Sequence, residues 1–348
     1  MTAIPIDLSS DTQTRPTAGM RRAIAAAEVG DEQKREDPSV NRLQEQVAEL
    51  TGKEAALFLP TGTMCNLIAH AIHCRPGDEI IAEALTHPVH FEGGGPATHS
   101  RASLRLIETE TGVFTPAQVE AAIRPDDPHF PRTRLVCVEN THNLHGGRIW
   151  PLANVTAVCE CAQRHGLALH LDGARLLNAV VAAGTPAREY CEPFDSCWID
   201  LSKGLGCPVG AVLAGPRAFI DQAWRYKHLF GGAMRQAGII AAAGVYALEH
   251  HVDRLAEDHA KARALAEGLA GIKGVSVDLA AVETNIVVFD IGGTGADRAV
   301  VLKRLLDRGV RFSPLLKPAQ LRAVTHLDIP EDGVERALAG LRESLVKK

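Results

Sequence analysis

The sequence has little of what marks a membrane, secreted or nucleic-acid-binding protein. No apolar run approaches the roughly 20 residues that a membrane-spanning helix needs. The first 16 residues lack the basic and apolar blocks of a signal peptide. The formal net charge is −5, so there is no surplus of basic residues to hold nucleic acid or an anionic membrane. We therefore expect a cytoplasmic protein with neither kind of partner.

A disulfide framework is also absent. The eight cysteines are scattered over 348 residues, and several lie inside apolar runs, at positions 65, 74, 137, 159, 161, 191, 197 and 207. A chain of this length can build a core without cross-links, so these residues are typical of buried thiols in a reducing compartment. The cytoplasm is again the expectation.

The chain is long enough for about two domains. Residues 1–40 are polar and rich in turns, and we expect them to form an N-terminal arm over the main domain or a neighbouring subunit. Residues 41–250 are predicted to form a large domain, and residues 251–348 a small C-terminal domain. The boundary falls near 245–255, beside a long helical segment.

Strand-like apolar runs alternate with helix-length segments in the predicted large domain. The runs are AALFL (55–59), EIIA (79–82), SLRLI (103–107), RLVCV (134–138), LALHL (167–171), CWIDL (197–201) and AVLA (211–214). This alternation is typical of an α/β fold whose mostly parallel, seven-stranded sheet is covered by helices. The last connection is too short for a crossover helix, so the last strand should run antiparallel. A smaller α+β set follows after about residue 271.

Two charged residues stand where strands of the predicted sheet end. Asp172 follows LALHL directly, and Lys203 follows the next run, 31 residues later. Open α/β sheets bind ligands at that rim. A lysine that carries a Schiff base and an acid that partners the pyridinium nitrogen are the protein groups of a pyridoxal-phosphate site. The alternative is that both are ordinary rim charges that solvate strand ends.

The segment 60–64 follows the first strand and opens a helix. Gly62 lets backbone amides approach a phosphate, and Thr63 offers a hydroxyl beside the positive end of the helix dipole. The segment is therefore a candidate phosphate site. An ordinary threonine N-cap is the alternative.

Histidines follow two further strands. His87 could stack on a planar cofactor, and His142 could act as an acid or base near neutral pH, unless it is a solvated loop residue. His87 with His90, and His142 with His145, have H-x-x-H spacing. No nearby carboxylate or cysteine completes a metal site in either case, so we expect no metal.

Arg322 lies in LRAVTHLD, at the start of a late strand of the predicted small domain. An arginine suits the bidentate capture of a carboxylate. A lone arginine is more often a surface charge.

Several segments together are far more specific than any single motif. In chain order they resemble signatures of the L-threonine aldolases, members of the β-eliminating-lyase group of aspartate-aminotransferase-like (fold type I) pyridoxal-phosphate enzymes. The matching segments are IDLSSDTQTRPT, REDPSVNRLQ, FLPTGTMCN, ENTHN, LHLDGAR, DLSKGLGCPVG, GGAMRQAG and RAVTHLD. They run from about residue 6 to 328, nearly the whole chain.

The resemblance implies roles at the cofactor. Lys203 would be the Schiff-base lysine and Asp172 the pyridinium partner, while His87 would stack on the ring. Arg175 would lie near the phenolic oxygen of the cofactor and the substrate carboxylate. Three residues would hold or assist the phosphate: Gly62, Thr63 and Ser202.

The resemblance also implies roles at the substrate. Ser10 and Arg322 would grip its carboxylate, and His142 would approach its β-hydroxyl. His142, His87 or a bound water would take the hydroxyl proton. The enzyme would be a homodimer or homotetramer with active sites at subunit interfaces.

Two segments depart from the family pattern. Gln33, Lys34 and Arg35 replace an aromatic-containing stretch that reaches the active-site mouth in relatives, which puts the side-chain preference in doubt. Lys227 and His228 stand in place of an Arg-Lys pair, and Ala233 replaces the third glycine of GGGMRQ. These changes leave the phosphate-end contacts open.

The sequence therefore predicts a pyridoxal-phosphate lyase that cleaves L-threonine, L-allo-threonine or related β-hydroxy-α-amino acids to glycine and an aldehyde. Two alternatives stay open. One is another reaction on the same scaffold, such as amino-acid racemisation or β-elimination, because a fold does not fix a reaction. The other is a non-catalytic relative that uses the domain for binding, against which the intact Lys203 and Asp172 count.

Overall fold

The computed structural model describes residues 4–346. Its strands are β1 (Ile6–Asp7), β2 (Ala55–Leu59), β3 (Glu79–Glu83), β4 (Ser103–Ile107), β5 (Thr133–Glu139), β6 (Ala168–Gly173), β7 (Ser196–Asp200), β8 (Ala211–Gly215), β9 (Ser276–Val277), β10 (Ile286–Asp290), β11 (Val310–Arg311), β12 (Ser313–Pro314) and β13 (Gln320–Val324). Its helices are α1 (Ala18–Ala25), α2 (Pro38–Thr51), α3 (Gly62–His73), α4 (His87–His90), α5 (Pro116–Ala122), α6 (Leu152–Arg164), α7 (Leu176–Ala183), α8 (Ala187–Cys191), α9 (Arg217–Leu229), α10 (Gly238–His250), α11 (Leu255–Ala270), α12 (Arg298–Asp307) and α13 (Gly333–Leu345).

Seven strands form the larger sheet, in the order β2-β8-β7-β6-β5-β3-β4. All seven predicted runs are strands, with ends within two residues of the prediction. Strand β8 is antiparallel to both of its neighbours, β2 and β7, whereas the remaining pairs are parallel. The predicted reversal is confirmed, because ten residues between β7 and β8 allow a turn but no crossover helix.

Helix α2 illustrates how local sequence sets the elements. The Asp37 side chain accepts a hydrogen bond from the Val40 amide, and Pro38 fills the first helical turn, where its missing N–H costs nothing. The helix ends at Gly52, whose φ of 69° is in the left-handed region that glycine adopts without strain. Val40, Leu43 and Val47 recur at helical spacing and are buried against the sheet.

The central strands bring acidic side chains to one rim of the larger sheet. Residues of β5, β6 and β7 are almost wholly buried, as expected for a sheet covered on both faces. Glu139 ends β5, Asp172 is the next-to-last residue of β6, and Asp200 ends β7. Glu139 and Asp172 are register partners, so their strands end side by side.

The smaller sheet is antiparallel and has the order β12-β13-β10-β9. Helices α11, α12 and α13 supply much of its core. Strand β1 pairs in parallel with β11, so Ile6 and Leu8 join this core, whereas Met20 joins the core of the larger sheet. The predicted division into an arm and two domains stays a prediction.

Two absences hold for the described part of the chain. None of the helices within residues 4–346 is long and apolar enough to cross a membrane. All eight cysteines are buried, and none is in a disulfide.

Candidate active site

Asp172 is buried at the rim of the larger sheet. Its Oδ1 accepts a hydrogen bond from the Ala174 amide at 3.0 Å, and its Oδ2 accepts one from Asn66 Nδ2 at 2.8 Å. Burial and the neighbouring Glu139 carboxylate raise the pKa of Asp172 to about 7, against the opposing effects of His87, Asn66 and Lys203. The carboxylate therefore lies where a cationic ligand would stabilise its ionised form.

Asn66, which sequence reasoning missed, links Asp172 to a second carboxylate. Its Nδ2 donates to Asp172 Oδ2 and also to Glu92 Oε1 at 2.7 Å. Its Oδ1 accepts from Trp198 Nε1 at 2.8 Å and contacts His170 Nε2 at 3.1 Å. The indole can only donate, so this contact fixes which end of the amide faces the carboxylates.

His87 stands at the start of α4, close to the same carboxylates. Its backbone N–H donates to Glu139 Oε2 at 2.7 Å, and its Nδ1 lies 2.8 Å from Glu92 Oε1. Burial lowers the pKa of His87, but Glu92, Asp172 and Glu139 together raise it above the ordinary value. The ring keeps 34 % of its surface exposed, so one part of it remains open to a ligand. We call Glu92, Glu139 and Asp172 the acidic side of the site.

Lys203 lies three residues beyond β7, near the acidic side. Its Nζ donates to Asp200 Oδ2 at 2.8 Å and lies 5.6 Å from the Trp198 ring centroid. The ion-pair partner is thus Asp200 and not Asp172, although the charge of Lys203 still lowers the pKa of Asp172. Sequence reasoning overlooked Asp200, whose only signal is its position three residues before the lysine.

Ser202 is held by the same carboxylate. Its amide and hydroxyl both donate to Asp200 Oδ1, at 2.7 and 2.8 Å. This pair of hydrogen bonds makes a tight turn that presents Lys203. The hydroxyl therefore points to Asp200, and its suggested help at a phosphate stays a prediction.

Helix α3 begins at the predicted phosphate segment. The Thr61 hydroxyl accepts a hydrogen bond from the Met64 amide at 3.1 Å, so Thr61 is the N-cap of this helix, and the predicted phosphate site stays a prediction. A Cβ at residue 62 would come within 2.2 Å of the Trp198 ring, which explains why glycine is needed there. The cap leaves Gly62 and Thr63 in the first helical turn, where their amides face the helix N-terminus.

Arg175 meets a buried carboxylate from the start of the chain. Its Nε and Nη2 donate to the two oxygens of Asp11 at 2.8 and 2.7 Å, which is a bidentate pair. Asn285 Nδ2 also donates to Asp11, at 3.2 Å. Burial opposes ionisation, but Arg175, Lys203 and Asn285 hold the pKa of Asp11 well below its usual range. Asp11 was not among the predicted site residues.

Arg322 lies in the middle of β13, not at the start of the strand as predicted. Its Nη1 donates to Asn143 Oδ1 at 2.7 Å and its Nη2 to the Ser9 carbonyl at 3.0 Å, so it is not a solvated surface charge. Burial and the charge of Arg175 lower its pKa to about 10, although Asp11 opposes this. Neither partner of the side chain is a carboxylate. We call Arg175 and Arg322 the basic side of the site.

Ser10 lies one residue from the Ser9 carbonyl that Arg322 contacts. Its Oγ accepts hydrogen bonds from the amide and the hydroxyl of Thr12, at 3.2 and 2.9 Å. The half-buried side chain thus caps a short 3₁₀ turn, Asp11–Gln13. Its predicted contact with a substrate carboxylate stays a prediction.

His142 is fully buried, so the solvated-loop alternative is wrong. Its Nε2 lies 2.9 Å from Glu83 Oε2, and its Nδ1 is buried without a hydrogen-bond partner among residues 4–346. Burial lowers the pKa of His142, but Glu139, Glu83 and Asp172 raise it, so the ring has a stronger tendency to take up a proton. The turn that follows contains Gly146 and Gly147, both at positive φ.

We expected no carboxylate or cysteine near His142 and His145, and this is wrong because Glu83 lies beside both. Glu83, at the end of β3, accepts contacts from both rings, with Oε1 3.1 Å from His145 Nε2. This carboxylate lies 59 residues before His142 in sequence, so spacing could not reveal it. His90 is different, because its Nε2 contacts the Ala84 carbonyl at 3.0 Å.

The two departures from the family pattern lie together. Arg35 forms an exposed ion pair with Asp221 of α9 at 3.1 Å. Lys227 of α9 is fully buried and pairs with Glu32, the residue just before Gln33. Arg35 therefore contacts α9, the helix that carries Lys227 and His228, and no hydrogen bond joins the changed residues to the acidic or basic side in the described part of the chain.

Buried polar atoms without a partner gather around these side chains. Within residues 4–346 they include Glu92 Oε2, Asn140 Nδ2, Thr141 Oγ1, His142 Nδ1 and Arg322 Nε. An unpaired buried polar group costs about 1–3 kcal/mol, so such a cluster is typical of a ligand site. Pyridoxal phosphate with an amino acid fits the donor set. Its protonated ring nitrogen suits the acidic side, and a substrate carboxylate suits the basic side.

Comparisons with known proteins agree with this geometry. The model of the beta-eliminating lyase family matches residues 7–291. The low specificity L-threonine aldolase of Escherichia coli K12 is 42% identical over 343 residues, covering 98% of this chain and 100% of the relative. The low-specificity L-threonine aldolase 1 of Arabidopsis thaliana is 40% identical over 347 residues, covering 98% of this chain and 96% of the relative.

Solved structures identify the fold. A threonine aldolase of Leishmania major superposes with a TM-score of 0.84 at 19% identity, covering 98% of this chain and all of that one. A Thermus thermophilus aspartate aminotransferase variant gives a TM-score of 0.72 at 18% identity, covering 98% of this chain and 96% of that one. The predicted aspartate-aminotransferase-like fold is confirmed.

Proposed function

The chain belongs to the beta-eliminating lyase family, whose enzymes depend on pyridoxal 5'-phosphate, and we propose that it cleaves β-hydroxy-α-amino acids to glycine and an aldehyde. L-threonine, L-allo-threonine and L-phenylserine are the proposed substrates. The observation that carries the proposal is the buried His142 Nδ1, which has no hydrogen-bond partner within residues 4–346 and belongs to a ring beside the acidic side. A proton acceptor on the β side of the substrate is what cleavage of the Cα–Cβ bond needs.

The cofactor is proposed to bind covalently to Lys203, with Asp172 at its ring nitrogen and His87 against its ring. Gly62, Thr63 and Ser202 are the proposed phosphate residues. When bound, the cofactor supplies an electron-poor ring that accepts the electron pair released at Cα. Asp172 keeps the ring nitrogen protonated, and Asn66 holds the Asp172 carboxylate in place at 2.8 Å.

The basic side is proposed to orient the substrate carboxylate. Arg175 is already neutralised by Asp11 at 2.7 and 2.8 Å, whereas Arg322 contacts only neutral oxygens. Arg322 therefore offers the stronger uncompensated charge, and Ser10 and Arg175 assist it. This grip would direct the Cα–Cβ bond of the substrate toward His142.

His142 is proposed to take the β-hydroxyl proton at Nδ1. In this proposal, His142 Nε2–H donates a hydrogen bond to Glu83 Oε2, with 2.9 Å between the two atoms, and the lone pair of the neutral ring is then on Nδ1. The pair thus resembles the carboxylate–histidine part of a hydrolase triad, in which the acid fixes tautomer and orientation. Cleavage releases the aldehyde, and protonation at Cα gives glycine.

The assembly and compartment remain part of the proposal. We expect a homodimer or homotetramer with active sites at subunit interfaces, as the family resemblance implies. Eight buried free cysteines suit the reducing cytoplasm.

Each of the three substrates should be incubated with the cofactor-loaded protein while glycine and aldehyde are measured together. We expect the two products in equal amounts from at least one of them. If all three stay intact while L-alanine is racemised or L-cysteine yields pyruvate, the reaction is removal of the α-proton and the proposal is wrong.

A further inference from the structure

Glu83, His142 and His145 bring three potential metal ligands together. Glu83 Oε2 lies 2.9 Å from His142 Nε2, and Glu83 Oε1 lies 3.1 Å from His145 Nε2. The ligand atoms of the three residues all lie within 4.8 Å of one another. In a tetrahedral zinc site with bonds near 2.0–2.1 Å, ligand atoms are about 3.3 Å apart, so small side-chain movements suffice.

We propose that Glu83, His142 and His145 bind a divalent first-row transition metal ion, such as Zn²⁺. Two imidazoles and one carboxylate suit zinc, iron, nickel or copper better than magnesium or calcium, which prefer oxygen ligands. Three protein ligands leave the remaining coordination positions for water. The site lies beside the acidic side but shares no residue with it.

The carboxylate is held in place by groups outside the set of ligands. The Leu85 amide donates to Glu83 Oε2 at 2.6 Å, and the Thr109 hydroxyl donates to Oε1 at 3.0 Å. Such outer hydrogen bonds fix ligand orientation at metal sites. The site is therefore organised before an ion arrives, and a metal would replace the two contacts between the imidazoles and the carboxylate.

An entry path reaches the cluster through His145. His142 and Glu83 are buried, but 12% of the His145 side chain is exposed. His145, Leu85 and Thr109 line a cleft of about 850 Å³ between the larger and the smaller sheet. A hydrated ion can reach His145 first and then exchange water for the two buried ligands.

Metal binding changes which nitrogen of His142 carries the proton. A neutral imidazole has one N–H, and a metal on Nε2 requires that proton to sit on Nδ1. Nδ1 then donates and can no longer accept the β-hydroxyl proton. The ion would thus inhibit the enzyme reversibly, a consequence that rests on the proposed function, whereas binding itself does not.

The test uses the cofactor-loaded full chain without an affinity tag. Zn²⁺ is titrated by calorimetry into the wild type, His145→Gln and His129→Gln, after dialysis against a chelator. His129 is the matched control, because it contacts the Asp127 carboxylate at 2.7 Å but is exposed and does not belong to the cluster. We expect one ion per chain in the wild type and the control. Loss of an outer hydrogen-bonding partner weakens metal binding by about 10–100-fold. Because His145 is itself a ligand, binding of Zn²⁺ to His145→Gln should be weakened at least as much.

Glycine release is then compared in each protein with saturating Zn²⁺ and with chelator. We expect Zn²⁺ to lower the wild-type rate by at least about 10²-fold, the scale of general-base catalysis, and to lower it far less in His145→Gln. Equal Zn²⁺ affinity in the wild type and His145→Gln would place the ion elsewhere, for example on the cofactor phosphate, and would overturn the site. One-site binding that depends on His145 but leaves the rate unchanged would keep the site and refute the proposed role of His142.

Discussion

The acidic and basic sides of the site are built in opposite ways. Burial and the neighbouring Glu139 carboxylate raise the pKa of Asp172 to about 7, and the His87 ring contacts Glu92 on the same side. On the basic side, Arg175 is paired with Asp11, and Arg322 contacts only neutral oxygens. Each side thus carries charge that its own residues do not balance. We infer that a ligand with separated positive and negative groups completes the site.

The two sides also differ in where their residues come from. Glu139 and Asp172 are register partners at the ends of neighbouring parallel strands. Asn66 lies in α3, which follows β2, and Glu92 comes just after α4, which follows β3, so the acidic side is built by the larger sheet and the helices that follow its strands. The basic side joins Arg175 to Asp11, 164 residues away, and Arg322 to Ser9, 313 residues away. It therefore forms only when the start of the chain and the smaller sheet are both in place.

Loss of Lys203 should lower the activity more than any other substitution considered, because both sides act on a ligand that this residue holds. We expect Lys203→Ala to lower kcat by at least about 10⁴-fold, the scale for removing a group that bonds covalently to the reacting molecule. Lys273→Ala, at an exposed lysine, is the control. Borohydride reduction of the wild type followed by peptide mapping should place the cofactor on Lys203. Attachment to another lysine would contradict the assignment.

Removing the negative charge of Asp11 should leave a second uncompensated positive charge on the basic side and destabilise the protein. Asp11→Asn leaves Arg175 buried without a carboxylate, and breaking such a pair costs about 3–5 kcal/mol. We expect the free energy of unfolding of the cofactor-free protein to fall by that amount in denaturant titrations. Glu267→Gln, which removes an exposed ion pair with Arg263, should cost less than about 1 kcal/mol. Equal effects of the two substitutions would show that Arg175 is solvated.

Arg322→Ala should separate the substrate-binding function of the basic side from cofactor binding. We expect substrate binding to weaken by about 2–5 kcal/mol, the range for truncating one partner of a buried charge pair, with little change in cofactor affinity. Substrate titrations and cofactor titrations measure the two effects independently. Arg311→Ala, at the half-exposed partner of Asp7, is the control. Loss of cofactor with unchanged substrate affinity would show that Arg322 holds the cofactor and not the substrate carboxylate.

Asp172→Asn makes the matching change on the acidic side. We expect kcat to fall by roughly 10²-fold or more, about 2–4 kcal/mol, because a neutral amide cannot keep the ring nitrogen protonated. Circular dichroism and cofactor absorbance should show a folded, loaded protein, as in the surface control Asp127→Asn. Near-normal kcat with bound cofactor would refute the role.

Of the acidic side, Asp172 could be predicted from the sequence, because apolar runs show where strands end, whereas Glu92 and Glu139 were missed. Asp172 and Lys203 were located in this way, and the short loop after Leu201 gave the reversal of β8. The partners of these residues could not be predicted. Asp200 and Asn66 act through side-chain directions that one sequence does not contain, although Asp200 lies only three residues from Lys203.

The basic side and the histidine cluster were harder still. Asp11 and Glu83 lie 164 and 59 residues from the groups that they contact, so only the folded chain brings them together. Resemblance to a family supplied Arg175, Arg322 and Ser10, but not their partners in this protein. Long-range ion pairs leave no periodic signal of the kind that strands and helices leave.

The protonation state of Asp172 tests the central claim most directly. Infrared difference spectra of the wild type against Asp172→Asn can isolate its carboxyl signal, first without and then with cofactor, at pH 6. Because its pKa is raised to about 7, we expect a protonated carboxyl in the cofactor-free protein. The cationic ring nitrogen should lower that pKa, so the signal should become that of a carboxylate when the cofactor binds. A carboxylate in both states would show that the acidic side is balanced without a ligand, and would contradict the account.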